Sequence, residues 1–309
     1  MALSRRRVVQ VIAGAAAAFP IPVAARAAAA LVRWEGFALG ASCSISIAAS
    51  HGYRAETILD AVVVEIERME SLFSLYRADS ELMRLNRTGR LESASPDMLA
   101  LLSLCDQVNR ATAGKFDPTV QPLWRILADN ARRSDRSAVQ EARVLIGWNK
   151  VKVDGRSIAF ENPGMAITLN GIAQGFATDR VAAVLRAHGC TNVLADIGEI
   201  AALGEREPGL PWRVGVAERG DAAPEREVEL RDMAIATSAP LGTMLDAAAR
   251  VGHIIDPDST DDESRKWRRV SVMHSSAALA DGLSTAFCLM SKGQIDKTAS
   301  GMDAMVLLA

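Results

Sequence analysis

The chain predicts a mixed α+β fold built as one domain, and three features of the sequence point there. Apolar residues recur at helical spacing through Ile58, Val62, Ile66, Met69 and Phe73, with Glu65, Glu67 and Glu70 between them, the pattern of a helix laying one face on a core. Alternating runs, one of them interrupted by Asp154-Gly155, read as strands and a hairpin. Helical and strand patterns do not alternate strictly, which argues against a doubly wound parallel sheet. The 309 residues, 49% hydrophobic and 23% charged, leave ample material for a core and exclude a disordered or collagen-like chain.

In order along the chain, Cys43 to Ile47 alternates and follows a turn at Leu39-Gly40. The helix carrying Ile58 to Phe73 comes next. A second helix opens after Pro96-Asp97 and is expected to bury Met98, Leu101, Leu102, Cys105 and Val108. Val151–Val153 and Ile158–Phe160 flank the Asp-Gly turn, whose residues supply positive φ. A helix runs from about Gly171 to His188 and closes at Gly189. Val193–Ile197, Trp212–Val216 and Val270–Met273 read as strands, and a last helix spans about Leu279 to Met290. The charged or polar stretches at 131–137, 219–227 and 256–266 read as linkers within one domain.

Residues 1–27 read as an address. Ser4-Arg5-Arg6-Arg7-Val8-Val9 leads into an Ala-rich apolar run ending near Pro20, and Ala25-Arg26-Ala27 offers an A-x-A cleavage site. The apolar run is about 12 residues, well short of the ~20 that a membrane-spanning helix needs. The paired arginines suit a twin-arginine export signal, with an ordinary secretory signal as the alternative; both lead out of the cytoplasm. Its four arginines and no acid leave with it, taking the formal charge from -2 to -6. Neither balance holds a polyanion, and at 5% aromatic the chain has few stacking platforms for single strands. Cys43, Cys105, Cys190 and Cys288 form no C-x-x-C pair and read as buried thiols, with one disulfide left open by export.

Four segments are too polar or glycine-rich for plain core: Phe73–Asn86, Gly114–Val120, Leu169–Arg180, and Gly252–Pro257 together with Ala280–Ala286. Asp281 and Thr285 lie one helical turn apart on one face, presenting hard oxygens suited to Mg²⁺; a helix acid beside a back-bonded Thr is the other reading. The glycines around Ala173 open a helix, so their N–H groups either face a phosphate or let the helix pack closely. Neither a G-x-G-x-x-G nor a P-loop is present. His253, one of four histidines, is either a base or a structural side chain.

Taken in order, the motifs resemble the ApbE-like FAD:protein FMN transferases. The resemblance is carried by Leu39-Gly40-Ala41, Phe73–Arg77, Gly114–Val120, Gly171-Ile172-Ala173-Gln174-Gly175, Ile197-Gly198-Glu199, Ala236-Thr237-Ser238, His253–Pro257 and Asp281–Thr285, and spans nearly all of residues 28–309. It implies an α+β domain with FAD in a cleft between helices and sheet, and Mg²⁺-dependent transfer of FMN from FAD to a Thr of a target protein with release of AMP. Position by position it implies FAD contacts at Leu39, Tyr76, Lys115, Phe116, Asp117, Thr168, Gln174 and Ile255. It implies Mg²⁺ ligands at Gly171 (carbonyl), Asp281, Ser284 and Thr285, with Ser284 standing where many members carry an acid, and His253 or Asp281 as the base. Departures include Gln174 for the usual Lys, Thr168-Leu169-Asn170 for acid-Leu-Gly, Glu199 for a second glycine, Ala239 after Thr237-Ser238, and Asp258-Ser259-Thr260 after Asp256-Pro257. The export signal, Gln174 and Gly198-Glu199 resemble the NosX branch, whose acceptor would be the membrane flavoprotein supporting nitrous oxide reductase, modified on its periplasmic FMN domain. A periplasmic FAD-binding or delivery protein, and a Mg²⁺-dependent FAD pyrophosphatase, are the competing readings.

Overall fold

Pairing of the apolar strands produces an eight-stranded sheet in which every neighbouring pair is antiparallel. A computed structural model describes residues 8–12, 31–48, 55–129, 135–217, 224–245, 252–258 and 266–309. The sheet holds β1 (Val8–Ile12), β2 (Leu31–Ala38), β3 (Ala41–Ala48), β7 (Val193–Asp196), β8 (Ile200–Leu203), β11 (Met233–Ser238), β12 (Val270–His274) and β13 (Met305–Leu308), side by side in that order. A three-stranded sheet joins β4 (Arg90–Leu91), β6 (Ser157–Phe160) and β5 (Val151–Asp154), and β9 (Trp212–Val216) pairs with β10 (Arg226–Leu230). The helices are α1 (Ala55–Phe73), α2 (Glu81–Thr88), α3 (Pro96–Ala111), α4 (Gln121–Ala128), α5 (Arg136–Val144), α6 (Ala173–Ala187), α7 (Ala277–Phe287) and α8 (Lys292–Gly301). None of the described helices is long and apolar enough to cross a membrane.

Both faces of the sheet are covered, because its strands carry apolar residues on both. Cys43, Ile45, Ile47, Val193, Ala195, Ala236, Val270 and Val272 meet α1, α3, α6 and α7 in the main core. Ala202, Ile235 and Met273 face the other way and pack under Trp212, Val214, Val216, Val228 and Leu230 of the β9–β10 hairpin. Strand β12 is therefore buried along its whole length.

The predicted stripe of α1 is buried at Ile58, Val62, Ile66, Met69 and Phe73, and the five apolar residues expected in α3 are buried as well. Helix α3 starts at Pro96 itself, two residues earlier than read, because the Ser95 hydroxyl caps the N–H of Met98 and Pro is favourable in a first turn. The hairpin forms one register later than read: Asp154 pairs with Ser157, so Gly155 (φ +56°) and Arg156 make the two-residue loop and Asp154 ends its strand. The Leu39-Gly40 turn has φ +47° and +85°, the paired positive values of a tight hairpin turn. All four cysteines are buried thiols, and apolar surroundings push Cys288 up to about 12.

Helices α2, α4, α5 and α8 carry no reading from the sequence; α2 lies inside the polar segment 73–86. Of the segments read as linkers, Arg136 opens α5 and Arg226 opens β10, whereas residues 131–134, 219–223 and 259–265 lie outside the described residues. Within the segment read as an export signal, Val8–Ile12 runs antiparallel along β2; residues 1–7 and 13–27 lie outside the described residues.

Helices α6 and α7 cap each other. The Asp179 carboxylate of α6 accepts the N–H groups of Ala277 and Ala278 and the Ser276 hydroxyl at the start of α7, at 2.8, 3.1 and 2.7 Å. In return the Asp281 carboxylate of α7 accepts the Gly175 N–H at the start of α6, at 3.1 Å. Of the two readings open for these glycines, close packing holds at Gly175, since a Cβ there would stand 2.2 Å from the Ala277 carbonyl oxygen. Its N–H is also committed to Asp281 and not to a phosphate. Gly175→Ala should accordingly destabilise the fold by about 1–3 kcal/mol or more, read by denaturant unfolding. An unchanged midpoint would show that the helix pair can separate without cost.

Candidate active site

The C-terminal end of β11, the β7–β8 turn, the start of α6, the middle and last turn of α7 and the segments 115–124 and 253–255 surround one cavity of about 500 Å³. Of the residues expected to act, Tyr76, Lys115, Phe116, Asp117, Thr168, Gly171, Gln174, His253, Ile255, Asp281 and Thr285 all line it, though they come from five separate stretches of chain. Leu39 and Ser284 do not line it. Leu39 stands behind the wall, where its carbonyl accepts the Gln174 amide at 3.4 Å and its N–H goes to Glu70. Ser284 is fully buried and its hydroxyl is already spent, on Ser238 at 2.7 Å and on the Asp281 carbonyl at 3.0 Å.

Asp281 projects into the cavity from the middle of α7, held by the Gly175 N–H. Burial pushes its pKa up to about 7, because removing a carboxylate from water disfavours its charge. Glu199, at the β7–β8 turn, lines the same cavity and accepts the Thr237 N–H at 3.2 Å. Burial raises it as well, and the nearby Asp281 charge adds to the effect. The expected set omits Glu199, although its place in the Ile197-Gly198-Glu199 departure was the available signal.

Thr285 lies one turn from Asp281, as the spacing predicts. Its hydroxyl makes no bond to its own helix among the described hydrogen bonds; it reaches Ser238 at 3.4 Å. Gly171 abuts it so closely that a Cβ at 171 would meet Thr285 Oγ1 at 2.9 Å. The back-bonded alternative for Thr285 therefore fails, and it is Ser284 that bonds back along α7.

Two expected FAD contacts are engaged elsewhere. The Lys115 ammonium is 2.8 and 3.1 Å from the Asp256 carboxylate oxygens and 3.1 Å from Asp258, tying the Gly114–Val120 turn to the segment that carries His253 and Ile255. The Asp117 carboxylate accepts the N–H groups of Thr119 (2.8 Å) and Trp148 (3.1 Å), shaping the turn beneath the cavity. Burial raises its pKa. The next turn is latched on by the Thr168 N–H, which donates to the Pro118 carbonyl at 2.8 Å.

His253 is fixed through its Nδ1, 3.1 Å from the Thr243 carbonyl. A carbonyl only accepts, so Nδ1 carries the proton and Nε2 is left with its lone pair. Burial lowers the pKa of the ring below its ordinary value, which keeps it neutral and able to take a proton near pH 7. Trp124 and Thr243 also line the cavity and were not read from the sequence, whereas Thr237 and Ser238, which line it too, were read only as part of the Ala236-Thr237-Ser238 motif.

A model of the ApbE family matches residues 39–307. The FAD:protein FMN transferase of Vibrio cholerae is 29% identical over 236 residues, 73% of this chain and 71% of that protein. Its counterpart in Haemophilus influenzae is 26% identical over 260 residues, 79% of this chain and 75% of that one. The flavin transferase ApbE structure from Vibrio cholerae superposes with a TM-score of 0.80 at 26% identity, covering 90% of this chain and 93% of that one. The apbe protein structure from Thermotoga maritima superposes at 0.79 and 25% identity, with 90% and 94% covered. The mixed α+β architecture is the one seen in these structures.

The raised carboxylates have a consequence for stability. An acid whose folded pKa lies above its unfolded value binds more protons when folded, so stability is greatest below the unfolded pKa and falls as pH rises. For Asp281 that window runs from about pH 4 to about pH 7. Without divalent cation, the thermal midpoint should fall across it, and Asp281→Asn should flatten the fall, leaving the share owed to the other raised acids, Glu199, Asp117 and Asp196. An equal slope in wild type and Asp281→Asn would mean that Asp281 is solvated.

Proposed function

The chain belongs to the ApbE family, and from that membership we propose that it moves FMN from FAD onto a threonine hydroxyl of a target protein, releasing AMP. The observation that carries this reading is the convergence of Gly171, Thr285 and Asp281 on one cavity with His253 and Tyr76.

The donors fit Mg²⁺. A buried carboxylate with a raised pKa, a second acid nearby, a hydroxyl without a bond to its own helix and a backbone carbonyl supply hard oxygens and excess negative charge. Lys115, the one lysine or arginine among the described lining residues, is taken by Asp256 and Asp258. Asp281, Thr285 and the Gly171 carbonyl would hold the ion, with Ser284 supporting Asp281 and Ser238 from behind. When bound, Mg²⁺ neutralises pyrophosphate charge and eases departure of AMP.

In the transfer, the acceptor oxygen forms a bond to the phosphorus of the FMN half of FAD as the bond to the AMP oxygen breaks. The hydroxyl proton goes to Nε2 of His253, whose ring is oriented by Thr243. Gln174 stands where a cation is usual, and its amide holds the Leu39 carbonyl, so FAD is gripped here with less positive charge.

The reading extends to place and partner. Residues 1–27 would export the protein to the periplasm by the twin-arginine route; their removal would take β1 with them and leave β2 as the sheet edge. Together with Gln174 and Gly198-Glu199 this supports the NosX branch, with the periplasmic FMN domain of the membrane flavoprotein serving nitrous oxide reductase as acceptor. A periplasmic form whose N-terminus begins after residue 27 is expected; one retaining Arg5 and Arg6 would reject the signal.

Purified protein mixed with FAD, Mg²⁺ and an FMN-accepting domain should yield covalent flavin on that domain and AMP. Free FMN with AMP would favour FAD hydrolysis, and intact FAD would favour binding or delivery alone. Asp281→Ala should abolish divalent-dependent AMP release, and unaltered release would remove Asp281 from the metal site. His253→Ala should still bind FAD while losing transfer on the order of 10²-fold or more, the usual size of a general-base contribution.

A further inference from the structure

Five tryptophans are present, and the fold uses four of them. Trp34 and Trp212 are buried in the two cores. Trp148 and Trp267 pack on the main core, and their indole N–H groups donate to Asp106 at 3.3 Å and to the Met290 carbonyl at 2.9 Å. Trp124 is different: it belongs to none of the hydrophobic clusters among the described residues, and its half-buried ring lines the cavity. Its neighbours on α4 explain why the ring is held there. Leu123 and Ile126 are buried against Ala138 and Ala142 of α5, which leaves the intervening position turned away from that contact. Tyr76 is the other aromatic on the cavity outside the cores, and it is 81% exposed.

An indole unused by the core, fixed by a packed helix and facing a cavity, is a ready stacking surface for a flat ring. FAD carries two such rings, isoalloxazine and adenine, at opposite ends. We propose that Trp124 lays its indole against one of these rings of bound FAD and contributes to the selection of a dinucleotide over a bare phosphate compound. This rests on the FAD reading above. It adds a ring-stacking contact from the helix that follows the Gly114–Val120 turn. Such a contact offsets part of the electrostatic grip that Gln174 does not provide.

The test is calorimetric titration of the full chain with FAD, comparing wild type with Trp124→Phe and Trp124→Leu. Both replacements are apolar, but only Phe keeps a ring. Trp124→Leu should weaken FAD on the order of ten-fold, the usual scale for loss of one aromatic–base stack, while Trp124→Phe stays within a few-fold. Displacement of FAD by FMN and by AMP then identifies the ring. Weaker FMN with unchanged AMP in Trp124→Leu assigns the isoalloxazine, and the reverse assigns adenine. Equal FAD affinity in Leu, Phe and wild type overturns the inference, as does a Leu variant weakened equally for both mononucleotides. A wild-type protein that fails to bind FAD overturns the FAD reading itself.

Discussion

The reciprocal capping of α6 and α7 is the constraint on which the site depends. Each helix lends a carboxylate to the open N–H groups at the other's start: Asp179 to Ala277 and Ala278, Asp281 to Gly175. Unpaired N–H groups at helix ends are costly when buried, so the two helices hold their ends together more firmly than either would alone. The absence of a side chain at Gly175 permits that approach. What results is a cavity-lining acid that is also a structural cap. Asp281 is held in place by the same N–H that a phosphate would otherwise take.

Around this pair, the remaining walls are joined by polar ties between loops. Lys115 fastens the 114–120 turn to the 252–258 segment, Thr168 fastens the next turn to Pro118, and the Gln174 amide reaches the Leu39 carbonyl. Thr178 of α6 bonds the Glu199 carbonyl at 3.1 Å and so anchors the β7–β8 turn against the helix. On the far side of α6, Arg180 joins Glu65 at 3.1 Å, and the Arg68 guanidinium holds the Glu65 carboxylate below its ordinary pKa. That network braces α1, α3 and α6 and stays outside the cavity. Acid pairs with cations on the bracing side, whereas Asp281 and Glu199 face a cavity whose one described lysine or arginine, Lys115, is paired with Asp256 and Asp258.

Legibility varied with the kind of signal. Helices α1, α3, α6 and α7 were readable because each carries a repeating apolar stripe or a strong capping residue. Helices α2, α4 and α5 were not: they are eight or nine residues long, too short for a period to repeat. Strands β2, β8 and β11 escaped because Ala, Gly and Ser dilute the alternation, and β13 because Met305–Leu308 is a short apolar run with no alternation at all. Trp124 was invisible as a site residue because it lies in no motif, whereas Glu199 was noted only as a departure within Ile197-Gly198-Glu199. The one-residue shift at Gly155 has a local cause, as either Asp154 or Arg156 can complete a two-residue loop around that glycine, and cross-strand pairing chose Arg156.

By itself, the chain determined what local chemistry can encode: the helical stripes, the Leu39-Gly40 turn, the turn-spaced Asp281 and Thr285, and the ordered motifs that mark the family. Tertiary structure alone decided which of those groups are free to act. Ser284 and Thr285 are adjacent hydroxyls on one helix, yet one is consumed inside the wall and the other stands at the cavity beside Gly171. Lys115 and Asp117 line the cavity, and only the fold shows that they also hold partners 141 and 31 residues away. The reason is physical: spacing sets the direction of a side chain along its own helix or strand, but only packing sets what stands opposite it.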